Sequence, residues 1–113
     1  MPYQIINETE AMNRVFDKDL LKELLKEFTE MKELDWQVLD QHISNDDFEA
    51  IERISHSIKG VSGNLALAGI YLTSTALNDA AKLENKELIK LHYDEVKIEV
   101  KRFIDFLPGY LDS

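Results

Sequence analysis

The sequence predicts an all-α fold, an antiparallel four-helix bundle with a short extra N-terminal helix, and three observations predict it. Helix breakers are confined to the edges: both prolines, Pro2 and Pro108, lie near the termini, and no glycine precedes Gly60. Apolar residues recur at spacings of three and four over long stretches, while few segments alternate with period two. Two polar clusters, Ser44-Asn45-Asp46-Asp47 and Glu84-Asn85, punctuate these stretches and leave only short connections.

Asn7 followed by Glu10 has the form of a capping box and starts a short helix ending near Val15. Ile5, Ile6, Met12 and Val15 would cover one end of the core. Asp17 is a favourable N-cap for a long second helix running to about Ile43. Its first half turns Leu21, Leu24, Leu25, Phe28 and Met31 inward; its second half presents Trp36, Leu39 and Ile43, slightly out of phase. Either the apolar stripe is wide or the helix bends between Lys32 and Asp35. The Ser44 to Asp47 turn launches a central helix expected to end between Leu65 and Ala68. The next helix carries Ile70, Thr73, Ala76, Leu77, Ala80 and Ala81 inward, small residues that imply close helix approach. After Glu84-Asn85, the last helix places Ile89, Tyr93, Val96, Val100, Phe103 and Leu107 at helical spacing and should end before Pro108-Gly109.

A chain of 113 residues can bury one real core and is too short for two ordinary domains. Residues 1–113 therefore read as a single domain, its core over about 5–107. A hydrophobic content of 44% belongs to a folded chain rather than a disordered one. The absence of cysteine excludes disulfides and thiolate metal sites and fits a reducing compartment. A net charge of −9 argues against nucleic acid and against an anionic membrane surface as partners. No apolar run approaches the roughly 20 residues of a membrane span, and the N-terminus lacks the form of a signal peptide. A cytoplasmic location is expected.

The stretch from Glu52 to Leu65 is unusual for a helix. Set out at about 100° per residue, Phe48, Ile51, Ile54, Ser55, Ile58, Val61, Ser62 and Leu65 share one broad face, expected to be buried. His56, Gly60 and Gly63 share the opposite face, with Lys59 at its margin. Each interior glycine costs roughly 1 kcal/mol against alanine. Two of them beside an exposed imidazole suggest that something must approach the backbone closely. Spacing alone leaves two readings open: a histidine that shares this face by coincidence, or a functional one. On the functional reading, an exposed imidazole is largely neutral at pH 7 and available as a nucleophile. Lys59, one turn on, could offer its ammonium to a phosphoryl group on the ring. The two glycines remove side chains that would block a partner, and Ser57 and Asn64 could hydrogen-bond across an interface. Glu49 and Glu52 read as solvated charges on the same face.

Other chemistries find little support. A carboxylate-bridged metal bundle requires Glu-x-x-His pairs on two helices. Here Glu52 and His56 are four apart, and His92 with Glu95 runs in the reverse order, so no metal site is expected. There is no cysteine nucleophile, no serine in a strained elbow and no glycine loop following a strand. Intrinsic nucleotide binding and kinase activity are therefore not expected. His42, near a helix end where a cation suits the dipole, and His92, beside Tyr93, read as boundary residues.

His-Ser-Ile-Lys-Gly-Val-Ser-Gly-Asn-Leu, from His56 to Leu65, resembles the signature of histidine-containing phosphotransfer (HPt) domains. In that signature a histidine is followed by any residue, an apolar residue, Lys and Gly, with a small-Asn-apolar run just after. Phe16 to Phe28 is similar to the family's opening of the second helix, and Ala76-Leu77 with Ala80-Ala81 to its small-residue fourth helix. The resemblance extends from about Ile5 to Leu107. It implies that His56 accepts and donates a phosphoryl group, that Lys59 assists electrostatically and that Gly60 leaves room for the partner. Gly63 and Asn64 match the small-Asn positions. The implied partners are receiver domains of response regulators or hybrid histidine kinases, whose aspartate carries the phosphoryl group and which supply Mg²⁺. The chain would then need no cofactor of its own and would be a monomeric phosphocarrier, not an ATP-dependent kinase. Ile58 stands where leucine is commoner, Ala66 where many members have another glycine, and the Glu84-Asn85 connection is short for the family. Arg53, one turn before His56, lies near enough to join the docking surface, without a family role. The alternative is a bundle that binds receivers or kinases without phosphotransfer; the presence of both His56 and Lys59 favours the relay. A bundle-type metalloprotein comes third. Met1 and the complete bundle fit a freestanding protein.

Overall fold

Short carboxylate and amide side chains set where the helices begin. The computed structural model describes residues 3–113, leaving Met1 and Pro2 outside the described residues. Among those described there are six α-helices, one 3-10 turn and no strand. The helices are α1 (Glu8–Val15), α2 (Lys18–Phe28), α3 (Trp36–Ser44), α4 (Phe48–Asn64), α5 (Ala68–Lys82) and α6 (Lys86–Leu111). Asn7, Asp17, Asp35, Asp47 and Asn85 each accept a hydrogen bond from a backbone N–H in the first turn of the helix that follows. Only half of the expected box forms at α1: Asn7 Oδ1 accepts from the Glu10 amide at 3.1 Å, while the Glu10 carboxylate turns to Arg14 instead.

α5 begins after Leu67 with no side-chain cap. The Gly69 amide, one of the donors a helix start leaves unpaired, is instead bonded to the Gln4 carbonyl at 3.2 Å. The Asn7 amide bonds to the Ala66 carbonyl at 2.9 Å, so the N-terminal segment is tied at two points to the α4–α5 turn.

Connections of three residues join α4 to α5 and α5 to α6, and α5 packs against both neighbours, so these helices are antiparallel. α3 and the 3-10 turn Lys32–Leu34 lie against α4, and α2 lies against α6. The resulting bundle measures 42 × 23 × 23 Å. Its core holds Leu21, Leu25, Phe28, Ile58, Leu77 and Phe103, all buried, with Phe28 and Phe103 edge to face at 5.7 Å.

Four expectations are corrected. The long second helix is two helices: α2 stops at Phe28, and Asp35 takes an extended conformation and caps α3 through the amides of Gln37 and Val38. A short carboxylate there competes with the helical ladder for the same N–H groups, and the intervening 3-10 turn packs on α4. The last helix does not end before Pro108 but continues to Leu111. A proline in a helix interior costs about 3 kcal/mol. Against that, Leu107 and Tyr110 are buried, Tyr110 stacks on Phe106, and Lys22 of α2 donates to the carbonyls of Leu111 and Ser113 at the negative end of α6. Val61, expected on the buried face of α4, is 37% exposed, because its edge of the helix is left uncovered. Ala76 is only half-buried, and the inward face of α5 also includes Ser74 and Asn78.

Candidate functional site

α4 places His56 in its third turn, on the face away from the core, and the imidazole is exposed. The opposite side of the helix is locked by short polar side chains. Buried Ser55 and Ser62 donate back to the carbonyls of Ile51 and Ile58 at 2.8 and 2.7 Å, which keeps their bulk small where α5 approaches. From α5, buried Asn78 donates to the Glu52 carbonyl at 2.8 Å and to Ser55 Oγ at 3.3 Å. Glu52 is the carbonyl to which the His56 amide points in the helical ladder. The backbone turn that carries the imidazole is therefore held from both within α4 and across from α5.

Two open hollows flank His56. One, of about 570 Å³, runs toward the C-terminal end of α4; its floor and walls include Lys59, Gly60, Gly63 and Asn64, with Tyr71 and Leu72 of α5 opposite. The other, of about 400 Å³, runs the other way between Glu49, Glu52 and Arg53 of α4 and Asn78 and Lys82 of α5. His56 is common to both. Lys59 is half-buried one turn along, and the space over Gly60 is empty to 4 Å, so a group can reach the backbone there.

Gly63 is different. A Cβ built on it would stand 3.0 Å from Tyr71 Cδ1 and 3.1 Å from Cε1. A side chain of the protein's own α5 approaches this glycine, which also lines the larger hollow. Asn64 lines the first hollow and Arg53 the second, while Ser57 is half-buried and lines neither.

The other histidines are engaged with carboxylates. His42 Nδ1 is 3.5 Å from Asp47, and His92 Nδ1 is 2.6 Å from Glu95. Among the described residues, His56 is the histidine with no carboxylate at ion-pair distance, and no group of three or more His, Cys, Asp or Glu side chains is gathered to hold a metal ion.

The structure adds residues that spacing did not single out. Gln4, Glu10 and Arg14 from the N-terminal segment and α1 form one wall of the larger hollow. The Arg14 guanidinium donates to the Gly63 carbonyl and pairs with Glu10. Arg14 and Gly63 are 49 positions apart, and no local period connects them. Lys82 enters the smaller hollow from the last turn of α5.

An exposed imidazole on a rigid helix, with an amine one turn on and open backbone beside it, is suited to exchange a group with another protein. The family model described as Hpt domain matches residues 23–105, most of the chain. The chain belongs to the Hpt domain family. Members of the Hpt family are helical bundles that carry phosphoryl groups in two-component signalling, as phosphocarriers rather than kinases, and they interact with receiver or kinase domains. Comparisons with curated proteins and with solved structures found no match. No helix among the described residues is long and apolar enough to cross a membrane. The α1 segment, with Arg14, lies outside the matched residues.

Proposed function

We propose that this Hpt chain is a phosphorelay intermediate: a receiver's aspartyl phosphate passes its phosphoryl group to His56, and phospho-His56 passes it to a second receiver. In the first step a lone pair on the imidazole attacks phosphorus, the P–O bond to the aspartyl oxygen breaks, and the carboxylate leaves with the electron pair. The second step is the reverse at another receiver. The half-buried Lys59 ammonium compensates charge on the transferred oxygens. The open space over Gly60 admits the receiver's active site, and the receiver brings the Mg²⁺. The cysteine-free composition fits action in the cytoplasm.

The observation that carries this reading is the placement of His56, exposed, free of any carboxylate partner among the described residues, and shared by two hollows. The test is incubation with phosphorylated receivers of the source organism. The wild-type chain should take up label that is acid-labile and alkali-stable, and His56→Gln should take up none. Labelling of His56→Gln at the wild-type level would sink the proposal.

A further inference from the structure

We propose that Tyr71 and Arg14 together form the anchor that selects the receiver: the Tyr71 ring takes an apolar side chain of the receiver, and Arg14, with Lys59, takes a carboxylate beside it. This rests on the phosphorelay reading above and names the docking contacts of that same site.

Both groups converge on Gly63. The missing Cβ lets the Tyr71 ring lie against the backbone, and the Gly63 carbonyl receives the Arg14 guanidinium, which Glu10 holds from the other side. Gly63 follows His56 by seven residues, two helical turns, on the same face and about 10 Å along the axis. A protein that covers His56 from this side therefore also covers the ring and the guanidinium. Tyr71 is 37% exposed and Leu72 beside it 47%, an apolar surface held in water on the wall of a hollow. Aromatic and arginine side chains in such settings are the ones that dominate interface energies.

Charge points to the occupant. Four cations, Arg14, Arg53, Lys59 and Lys82, and three carboxylates line the two hollows, on a chain whose net charge is −9. The rest of the surface repels an acidic protein and this face does not. On the phosphorelay reading the receiver holds Mg²⁺ with carboxylates near its phosphoryl-bearing aspartate, so it brings carboxylates to this face. A second copy of this chain would bring another net −9 and is disfavoured. Because Arg14 lies outside the residues matched by the family model, its contact is suited to distinguish one receiver from another.

The test is the rate of phosphoryl transfer from a receiver that labels the wild-type chain, measured over receiver concentration at low and high salt. Tyr71→Ala and Arg14→Ala should each raise KM about tenfold with little change in kcat. Arg14→Ala should also weaken the dependence on salt, and Arg14→Lys, which keeps the charge, should retain most of it. Lys90→Glu on α6, away from both hollows, should leave KM unchanged. Thermal melts of each variant separate docking from unfolding. Wild-type KM values for folded Tyr71→Ala and Arg14→Ala, in a chain that is labelled at His56, overturn the anchor alone. A KM raised equally by Lys90→Glu, or a dimer abolished by Tyr71→Ala, overturns it too. A wild-type chain that no receiver labels overturns the phosphorelay reading and the anchor with it.

Discussion

Gly60 and Gly63 lie three residues apart on one face of α4, and alanine should act differently at each. Over Gly60 there is nothing within 4 Å, so a methyl group meets only water. Gly60→Ala should stabilise the fold by about 1 kcal/mol through helix propensity alone, raising Tm by about 4 °C; on the proposed relay it should also slow phosphoryl transfer, because the methyl would stand in the receiver's way. At Gly63 the same gain is offset by the Tyr71 ring, which must give by a few tenths of an ångström, so Gly63→Ala should change Tm little. Melting curves and transfer rates on the two variants check both signs; a Gly60→Ala protein that is no more stable and transfers at the wild-type rate would remove the argument for open backbone there. The periodicity of α4 was enough to place His56, Lys59 and Gly60 on the face away from the core and to bury Ser55 and Ser62, because those placements depend only on the 100° step along one helix. Arg14 and Tyr71 were beyond it. Their meeting at Gly63 is a tertiary event joining three helices, and nothing local in the sequence encodes it.

At the scale of elements, α3 is joined to α6 through one hydroxyl. Tyr93 of α6 donates to Asp40 Oδ1 at 2.5 Å and to the Trp36 carbonyl at 3.2 Å, with its ring edge to face against Trp36. Burial, and then the hydrogen bond to Asp40, hold the Tyr93 hydroxyl well above its ordinary range. The unfolded phenol ionises near pH 10, before the folded one. Its contribution to stability is therefore complete below about pH 10 and is lost as pH rises toward the folded value. Tyr93→Phe should cost about 1 kcal/mol at neutral pH and flatten the alkaline limb of a stability–pH curve, though not abolish it, because Tyr110 is raised in the same direction, chiefly by burial. A variant with an unchanged alkaline limb would contradict this. The turn after α5 offers the opposite case. Glu84 is exposed at φ 52°, and the amides of Glu84 and Asn85 bond back to the carbonyls of Ala81 and Ala80, the helix-ending arrangement that favours glycine. A left-handed residue with a Cβ costs about 1–2 kcal/mol, and glycine returns part of that in the unfolded chain. Glu84→Gly should thus stabilise by about 0.5–1 kcal/mol in denaturant unfolding. The caps at Asn7 and Asp17 were legible because their side chains act within three residues. The break at Asp35 was not resolved because an aspartate tolerated within a helix and one that caps a new helix look alike until the 3-10 turn packs on α4. Pro108 misled for the converse reason: the buried Leu107 and Tyr110 outweigh a local rule.

For the molecule as a whole, the N-terminal segment matters more than its length suggests, because it closes one wall of the site and replaces the missing cap of α5. Its attachment converges on Gly69. The Gly69 amide bonds to Gln4, and a Cβ at Gly69 would overlap the Glu99 carboxylate of α6 and stand 3.0 Å from the Tyr3 Cβ. The Glu99 carboxylate must give way, which strains its 2.6 Å pair with Arg102 at a position only 9% exposed. The freer of the two neighbours is the terminal segment, since Tyr3 is 40% exposed. Gly69→Ala should therefore push the Glu99 carboxylate aside and crowd Tyr3 on the α4–α5 turn, costing about 1–3 kcal/mol as an overpacked contact. It should also speed hydrogen exchange at the amides of Asn7 and Gly69 relative to those of Leu77 and Val96 in the core. Because Asn7, Glu10 and Arg14 all line the larger hollow, loosening this segment should reach the site from some distance: phosphoryl transfer should need more receiver, with His56 itself untouched. Exchange rates at Asn7 and Gly69 that match the wild type would show that the helices, and not the terminal segment, absorb the added methyl.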